Sequence, residues 1–272
     1  MDIQPASNYP TPDLCELMNL SFEEYIVSIH LDSAQFENML HKDTIDLQAS
    51  RVLLMDGDSA GIALIARRGS QSRLAAMGLK KDIRGQGIGK QFMEKLIQDA
   101  RARQDREMVL EVIEQNEPAV RLYQGYGFET VRRLIGLVYQ DAKQGAKTDF
   151  QEVDLPEMGN LISKYGLSDL PWQISGETIA LMNPPNRAYK NGDAYIAISN
   201  PDAEHVVIWS LLVEPSARGN GLGVDMLKRI VAHHAGKTWH VPAIWPEEFG
   251  VLFEQVGFQR EEISQWQMRL SL

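Results

Sequence analysis

The sequence predicts a mixed α/β fold that is built from two consecutive domains of similar architecture. The first observation is a short apolar segment, a glycine-rich turn and an amphipathic helix that follow one another over residues 74–103. The second is that this order returns further along the chain, where Arg218 follows Arg84 by 134 residues. A repeat of that length within 272 residues is typical of two domains of ordinary size.

The first half of the chain predicts an ordered series of helices and strands. Residues 51–67 are expected to form a β-hairpin, because Asp56-Gly57 separates two apolar runs. Residues 74–79 predict a strand that leads into the glycine turn, and a helix follows over 88–103. The other predicted elements are helices at 12–20 and 33–41, a strand at 108–114, a helix that Asn116 opens, and a strand at 128–139.

The second half predicts the same order. Residues 141–148 are polar without periodicity, so we expect a linker between a first domain at 1–140 and a second at 149–272. Asn191-Gly192 predicts another hairpin turn. The other predicted elements are strands at 206–213 and near 238–244, a terminal strand, and helices near 154–165, 175–182, 222–234 and 247–255.

Composition excludes several classes of function. The chain has no run of about 18 apolar residues and no basic-then-apolar N-terminal segment, so we expect a cytoplasmic protein without a membrane partner. Cys15 is the single cysteine, and we expect neither a disulfide nor a metal site. The net charge of −10 argues against nucleic acid. This acidity either maintains solubility or favours a cationic amine as substrate.

The glycines at 85, 87 and 89 predict an anion-binding turn. Glycines let successive backbone N–H groups point into one concavity, and the following helix adds the positive end of its dipole. The spacing differs from the G-x-G-x-x-G of dinucleotide-binding folds and from the G-x-x-x-x-G-K-[ST] of nucleotide-triphosphate loops. Phosphate oxygens of another ligand are therefore expected here.

Two motifs resemble those of the Gcn5-related N-acetyltransferase (GNAT) family. Residues 84–89, R-G-Q-G-I-G, and 218–223, R-G-N-G-L-G, match the family's R/Q-x-x-G-x-G/A acetyl-CoA loop. Residues 116–128 are similar to its N-x-x-A-x-x-L-Y-x-x-x-G-F signature, and 251–258 resemble the second half of it. The resemblance implies two domains, each a mostly antiparallel sheet with a splayed parallel pair and flanking helices. It also implies acetyl-CoA-dependent acetylation of a primary amine, of a small molecule or a protein N-terminus, by direct attack on the thioester.

The resemblance further implies roles for individual residues. The loop would hold the pyrophosphate of acetyl-CoA, and N–H groups of the preceding strand would bind the acetyl oxygen and pantetheine. The implied cofactor-binding residues are Met77, Gly78, Leu79, Arg84, Gly85, Gln86, Gly87, Ile88, Gly89, Lys90 and Asn116.

Tyr123 and Glu111 are the candidate catalytic residues. Tyr123 matches the family's proton donor, and a phenol with an ordinary pKa of about 10 is protonated at neutral pH. Glu111 has the spacing of the base in ribosomal-protein alanine acetyltransferases, which this segment resembles. The alternative for Glu111 is a surface or ion-paired strand carboxylate, with a water chain as the base.

The second repeat is predicted to be degenerate. Aligning the two Gly-Phe pairs puts Val241, Pro246 and Phe253 where the first repeat has the base, the cofactor-arm asparagine and the acid. Valine and phenylalanine cannot transfer a proton. Two alternatives remain open, namely a non-catalytic acyl-CoA-binding or regulatory protein, and catalysis by the C-terminal repeat. The sequence indicates neither the acceptor nor the oligomeric state.

Overall fold

The computed structural model describes residues 1–140 and 148–272, which form two compact units. Unit 1 consists of Met1–Val131 and Gln267–Leu272, and unit 2 consists of Arg132–Trp266. The predicted linker at 141–148 lies outside the described residues, apart from Thr148. Each unit combines a mixed sheet with helices, as the sequence predicts.

Unit 1 is a mostly antiparallel sheet whose strands follow the order β1-β2-β3-β4-β5, with the end of the last strand of the chain beside β5. Its elements are β1 (Asp2–Pro5), α1 (Thr11–Ser21), α2 (Ser33–Lys42), β2 (Arg51–Met55), β3 (Asp58–Arg68), β4 (Gln71–Leu79), α3 (Ile88–Ala102), β5 (Glu107–Ile113), α4 (Glu117–Gly125) and the first residues of β6 (Glu129–Tyr139). The short β1 was not predicted, because its sequence contains proline and no apolar alternation.

Strands β4 and β5 are parallel neighbours that separate after three residues. They are paired only where Gln71, Ser72 and Arg73 lie opposite Glu107, Met108 and Val109. On its other side β4 remains paired with β3 up to Leu79, through a bulge at Ala75. The second half of β4 therefore has a partner on one edge only, and this is the predicted splay.

Two faces of the unit 1 sheet are covered by helices with apolar stripes. The core beside α1 and α2 contains Leu14, Leu17, Phe36 and the strand residues Ile62 and Leu64, all nearly inaccessible to solvent. Helix α3 buries another stripe, made of Ile88, Phe92, Met93, Leu96, Ile97 and Ala100. This periodicity holds the helix that follows the glycine turn against the unit.

Unit 2 repeats the arrangement. It contains most of β6, then β7 (Gln151–Val153), α5 (Leu155–Tyr165), α6 (Gly176–Ala180), β8 (Arg187–Asn191), β9 (Ala194–Ile198), β10 (His205–Val213), α7 (Leu222–His233), β11 (Thr238–Pro246), α8 (Gly250–Glu254) and most of β12 (Gln259–Ser271). Strands β10 and β11 are parallel and paired only over three residues each, His205–Val207 with Thr238–His240. Its core surrounds Trp239 and Phe253.

The division into units differs from the predicted domain ranges in one respect. Strand β6 is antiparallel to β11, with Tyr139 opposite Trp239 and Leu134 opposite Pro246, so residues 132–139 lie in unit 2. Conversely, residues 267–272 lie in unit 1, where the N–H of Leu272 donates to the Arg106 carbonyl. Strand pairing rather than chain order decides this assignment. The first repeat thus gives most of β6 to unit 2, and the second repeat gives only the last residues of β12 to unit 1.

Among the described residues, none of the helices combines the length and the apolar character that a membrane crossing needs.

Candidate active site

The glycine loop of unit 1 presents open backbone at the start of α3. Gly85 and Gly87 have φ of +77° and +78°, a left-handed conformation that favours glycine. A Cβ built on either residue would meet no atom within 4 Å, so the space beside them is free. Gly87 caps α3 without a side-chain hydrogen bond, and the first N–H groups of a helix lack intrahelical partners. These features suit an anion.

Arg84 holds this loop in place through the backbone. Its Nε donates to the Leu79 carbonyl at 2.8 Å, and its Nη2 donates to the carbonyls of Ser21 and Glu23 at 3.1 and 3.0 Å. The guanidinium thus ties the end of β4 and the end of α1 to the loop. A contact between this side chain and phosphate stays a prediction, whereas its supporting contacts were not predicted.

The free edge of β4 supplies backbone donors next to the loop. The N–H of Lys80 donates to the Ala60 carbonyl, and Gly78 lies opposite Ile62. Because hydrogen bonding alternates along an antiparallel pair, the N–H of Gly78 also points towards β3. The N–H groups of Met77 and Leu79 consequently point the other way, to the edge from which β5 has separated.

Gly78 has a structural role, because its lack of a side chain allows the end of α1 to pack closely against β4. A Cβ at this position would lie 2.7 Å from Cε2 of Phe22 and 2.9 Å from the Ser21 carbonyl oxygen. No larger residue fits without displacing the end of α1. The close approach brings the segment after α1 over the splayed strands.

Helix α4, which carries Tyr123, packs beside the loop and β4. A Cβ at Gly89 would be in ordinary contact with Met77 and with Leu122 of α4, at 3.8 and 3.9 Å, so loop, strand and helix meet there. Tyr123 is buried and lies edge-on to Phe128. Burial raises the pKa of the Tyr123 phenol, and the nearby Tyr25 adds to the rise. The phenol therefore stays protonated throughout the neutral range.

Asn116 and Tyr25 connect α4 to the segment after α1. The Asn116 side chain accepts a hydrogen bond from the N–H of Ala119, which caps α4, and its Nδ2 donates to the Tyr25 hydroxyl at 3.3 Å. Tyr25 was not among the predicted site residues. The pairing of aromatics at Phe22 and Tyr25 was the available signal, and the two rings do contact each other.

The structure places Glu111 in a buried ion pair. Its Oε2 accepts from Nε of Arg73 at 2.8 Å, and the two side chains are 2% and 5% exposed. Asp43 lies near the same guanidinium, at 3.9 Å. This arrangement matches the alternative weighed for Glu111, an ion-paired strand carboxylate.

Unit 2 contains a second loop of the same shape. Gly219 and Gly221 have φ of +82° and +75°, and Nε of Arg218 donates to the Val213 carbonyl as Arg84 does to Leu79. Its Nη2 donates to the carbonyl of Tyr165, at the end of α5. Support of the loop by arginine is thus a property of both repeats.

The position of Tyr123 is occupied in unit 2 by Phe253, as the alignment predicted. The N–H of Phe258 donates to the Phe253 carbonyl just as that of Phe128 donates to Tyr123. The position of Glu111 needs a correction. Glu111 lies two residues beyond the last residue of β5 paired with β4, and the corresponding residue of β11 is Pro242, not Val241. Strand β11 is irregular between residues 241 and 245. A gapless alignment that starts from the Gly-Phe pair is therefore displaced by one residue at the position of Glu111.

A cavity of about 490 Å³ adjoins the second loop. Its walls include the end of α5, the second half of β10 and aromatic residues of β11 and the segment before α8. In unit 1, a cleft of about 780 Å³ lies between α1 and the segment 22–33 and includes Tyr25.

In the described part of the chain, no group of three or more His, Cys, Asp or Glu is arranged to hold a metal ion.

Comparisons with known proteins agree with this geometry. Residues 12–128 match the model of the acetyltransferase (GNAT) family. Among solved structures, a GCN5-related N-acetyltransferase from Sphaerobacter thermophilus aligns over 99% of this chain and 95% of its own, with 13% identity and a TM-score of 0.71. A tandem GNAT protein from the clavulanic acid biosynthesis pathway aligns over 99% and 98%, with 13% identity and a TM-score of 0.65. At such identities the likeness concerns the fold. A search of curated proteins found no match.

Proposed function

We propose that the chain acetylates a primary amine with acetyl-CoA in unit 1, on the premise that residues 12–128, which match the acetyltransferase (GNAT) family model, form a domain of that family. One observation carries the proposal. An open glycine loop lies next to the unpaired N–H groups of β4, and α4, which carries a buried protonated tyrosine, packs beside the loop at Leu122. These are the donors that a phosphate, a thioester carbonyl and a leaving thiolate require.

The residues present fit acetyl-CoA. The loop from Gly85 to Lys90 would hold the pyrophosphate, since the space at Gly85 and Gly87 is open. The N–H groups of Met77 and Leu79 would hold the carbonyl and pantetheine along the splay. Acetyl-CoA supplies an acyl group on a sulfur that leaves as thiolate.

Tyr123 is the proposed proton donor. The amine nitrogen forms the new bond to the acetyl carbon, the bond from carbon to sulfur breaks, and the Tyr123 phenol gives its proton to the sulfur. The nitrogen releases a proton to water, from which Tyr123 is reprotonated. Glu111 is committed to Arg73, so we propose that it orders β5 and that water takes the proton from the amine.

The cleft beside α1 is the proposed acceptor entrance. Tyr25 lines the cleft, and its hydroxyl accepts a hydrogen bond from Asn116. The inner end of the cleft therefore lies at the start of α4. Carboxylates of Glu16 and Glu23 also line the cleft, so it favours a cationic amine. Replacing both by glutamine should raise KM for a diamine about tenfold and change KM for a neutral aromatic amine less.

Release of CoA thiol from acetyl-CoA, measured with a panel of primary amines, tests the function. The informative variants are Gly89→Glu and Gly223→Glu, which put one carboxylate at equivalent helix starts. Neither glycine has a positive φ, and the nearest atoms to a new Cβ are 3.8 and 3.7 Å away, so both variants should fold. We expect Gly89→Glu to abolish turnover and Gly223→Glu to retain it. The reverse pattern would move catalysis to unit 2, and tight binding without turnover on any amine would favour a non-catalytic binding protein.

A further inference from the structure

The segment that follows α1 forms a loop, residues 22–31, which lines the cleft beside α1 and which we call the acceptor loop. Its far end is fixed to α1, because the Asn19 side chain donates to the Leu31 carbonyl and accepts from the Leu31 N–H, both at 2.9 Å. Residues 26–30 make no hydrogen bond with any residue that the structure describes, and Ile26 is 46% exposed. The position of the loop therefore depends on packing against α1 and on the contacts of its first four residues.

Residues between β4 and the first helix turn of α3 make two of these contacts. Nη2 of Arg84 donates to the Glu23 carbonyl, and Nζ of Lys81 lies 2.7 Å from a carboxylate oxygen of Glu24. Glu24 has φ of +55°, a conformation that residues other than glycine rarely adopt. The side chains of Lys81 and Glu24 are both more than half exposed, so water and salt weaken their ion pair. The ion pair therefore contributes little to the position of the loop.

The third contact comes from α4 and is made by Asn116. The Oδ1 atom of its carboxamide accepts from the Ala119 N–H at 3.3 Å, and its Nδ2 atom donates to the Tyr25 hydroxyl at 3.3 Å. The Tyr25 ring lies edge-on to Phe22, with ring centroids 5.2 Å apart, so a hydrogen bond and a ring contact act on one side chain. Tyr123 follows Asn116 by seven residues, about two turns of the same helix. Asn116 thus joins the helix of the proposed proton donor to the acceptor loop.

We propose that Asn116 is a positioning residue for the amine acceptor and not a ligand of the acetyl-CoA arm. It holds Tyr25, and with Tyr25 the acceptor loop, against the start of α4, and so determines the shape of the inner end of the cleft. The inference rests on the proposed function, which assigns this cleft to the amine. It departs from the role that the family resemblance implies for Asn116, because the described hydrogen bonds of this carboxamide run to α4 and to the acceptor loop.

Two substitutions at this position separate the helix cap from the contact with Tyr25. Serine also caps helices well, so Asn116→Ser keeps an acceptor for the Ala119 N–H but has no N–H to donate. Asn116→Asp keeps the cap too, and its second carboxylate oxygen can accept a hydrogen bond from the Tyr25 hydroxyl. The two variants therefore differ in whether a bond to the acceptor loop can form.

Hydrogen exchange measures whether the loop is held, and it requires no substrate. The amides of Tyr25 and Leu31 are suitable reporters, because both are hydrogen-bonded. In Asn116→Ser we expect both to exchange about fivefold faster, the size expected for the loss of one hydrogen bond between neutral groups. In Asn116→Asp their exchange should stay within about twofold of the wild type. Lys81→Ala removes a weak contact of the same loop and is the matched control, also expected to stay within about twofold.

Calorimetry and steady-state kinetics then assign the role. In Asn116→Ser the Kd for acetyl-CoA should change by less than about twofold, whereas KM for the amine should rise about fivefold. The amine is 1,4-diaminobutane or, if that diamine is not accepted, the amine of the panel that turns over fastest. Asn116→Asp should restore KM. Tyr25→Phe deletes the same bond from the other side, so the double variant should be no worse than either single variant.

Unchanged exchange of the loop amides in Asn116→Ser would overturn the proposal, as would effects of Asn116→Ser and Tyr25→Phe that add in the double variant. An unchanged KM for the amine would also overturn it, and a simultaneous rise of about tenfold in the Kd for acetyl-CoA would return Asn116 to the cofactor arm. Absence of turnover with every amine would instead refute the proposed function. The exchange rates and the Kd would then still decide whether Asn116 holds the acceptor loop.

Discussion

The substitution Tyr123→Phe removes the proposed proton donor and little else. The phenylalanine ring keeps the edge contact with Phe128, whose centroid lies 5.8 Å away, so unit 1 should remain folded. General acid catalysis contributes about 10²–10⁴-fold, which corresponds to roughly 2.7–5.4 kcal/mol of transition-state stabilisation. We therefore expect kcat for acetyl transfer to fall by at least about 100-fold. The Kd for acetyl-CoA should change less than about threefold, because the phosphate contacts lie on the loop.

The assay is CoA release at saturating acetyl-CoA, together with calorimetry for the Kd. Tyr9→Phe is the matched control, since it also deletes a phenol of unit 1, one that bonds to Gln4 outside the site. The pH dependence of activity provides a second test of this role. Because burial raises the pKa of Tyr123, its deprotonation should not produce a loss of activity between pH 6 and about 9. A kcat for Tyr123→Phe within threefold of the wild-type value would contradict the role of Tyr123 as proton donor.

Three further predictions concern the support of the site. Arg84→Ala deletes the hydrogen bonds that hold the loop, so KM for acetyl-CoA should rise about tenfold in steady-state assays, with a smaller change in kcat; equal losses in both would contradict a supporting role. Glu111→Gln leaves Arg73 charged and buried, which should lower the free energy of unfolding in urea by about 3 kcal/mol; a large loss of kcat with stability unchanged would instead restore Glu111 as the base. Between pH 10 and the raised pKa of Tyr123, only the unfolded chain ionises this phenol, so stability should fall by up to about 1.4 kcal/mol per pH unit, and less in Tyr123→Phe; parallel pH curves for the two proteins would contradict this.

The local parts of the site could be predicted from the sequence. Glycines with positive φ, an apolar strand before them and an amphipathic helix after them are encoded within about thirty residues, and the loop forms as expected. The same holds for the loop of unit 2, which the repeat alone indicated. Phe253 in the position of Tyr123 was likewise predicted, because a short motif around the Gly-Phe pair defines both positions.

The contacts that determine how the site works join distant parts of the chain. Arg84 bonds to backbone more than 60 residues earlier, and Asn116 meets Tyr25 across 91 residues. The partner of Glu111, Arg73, comes from a neighbouring strand. No periodicity encodes such pairs, because they depend on how strands and helices pack. For that reason the sequence left both interpretations of Glu111 open and did not predict the contact of Tyr25 with Asn116.

The division of the last strands between the units makes unit 1 dependent on the end of the chain. Unit 1 includes residues 267–272, which the chain makes only after the whole of the second repeat. A protein shortened to the first repeat would lack that edge of its sheet, and residues 132–139 would be exposed without β11, as an aggregation-prone strand. Unit 1 therefore cannot be completed before residues 267–272 have been made, so folding of the first repeat depends on the presence of the second.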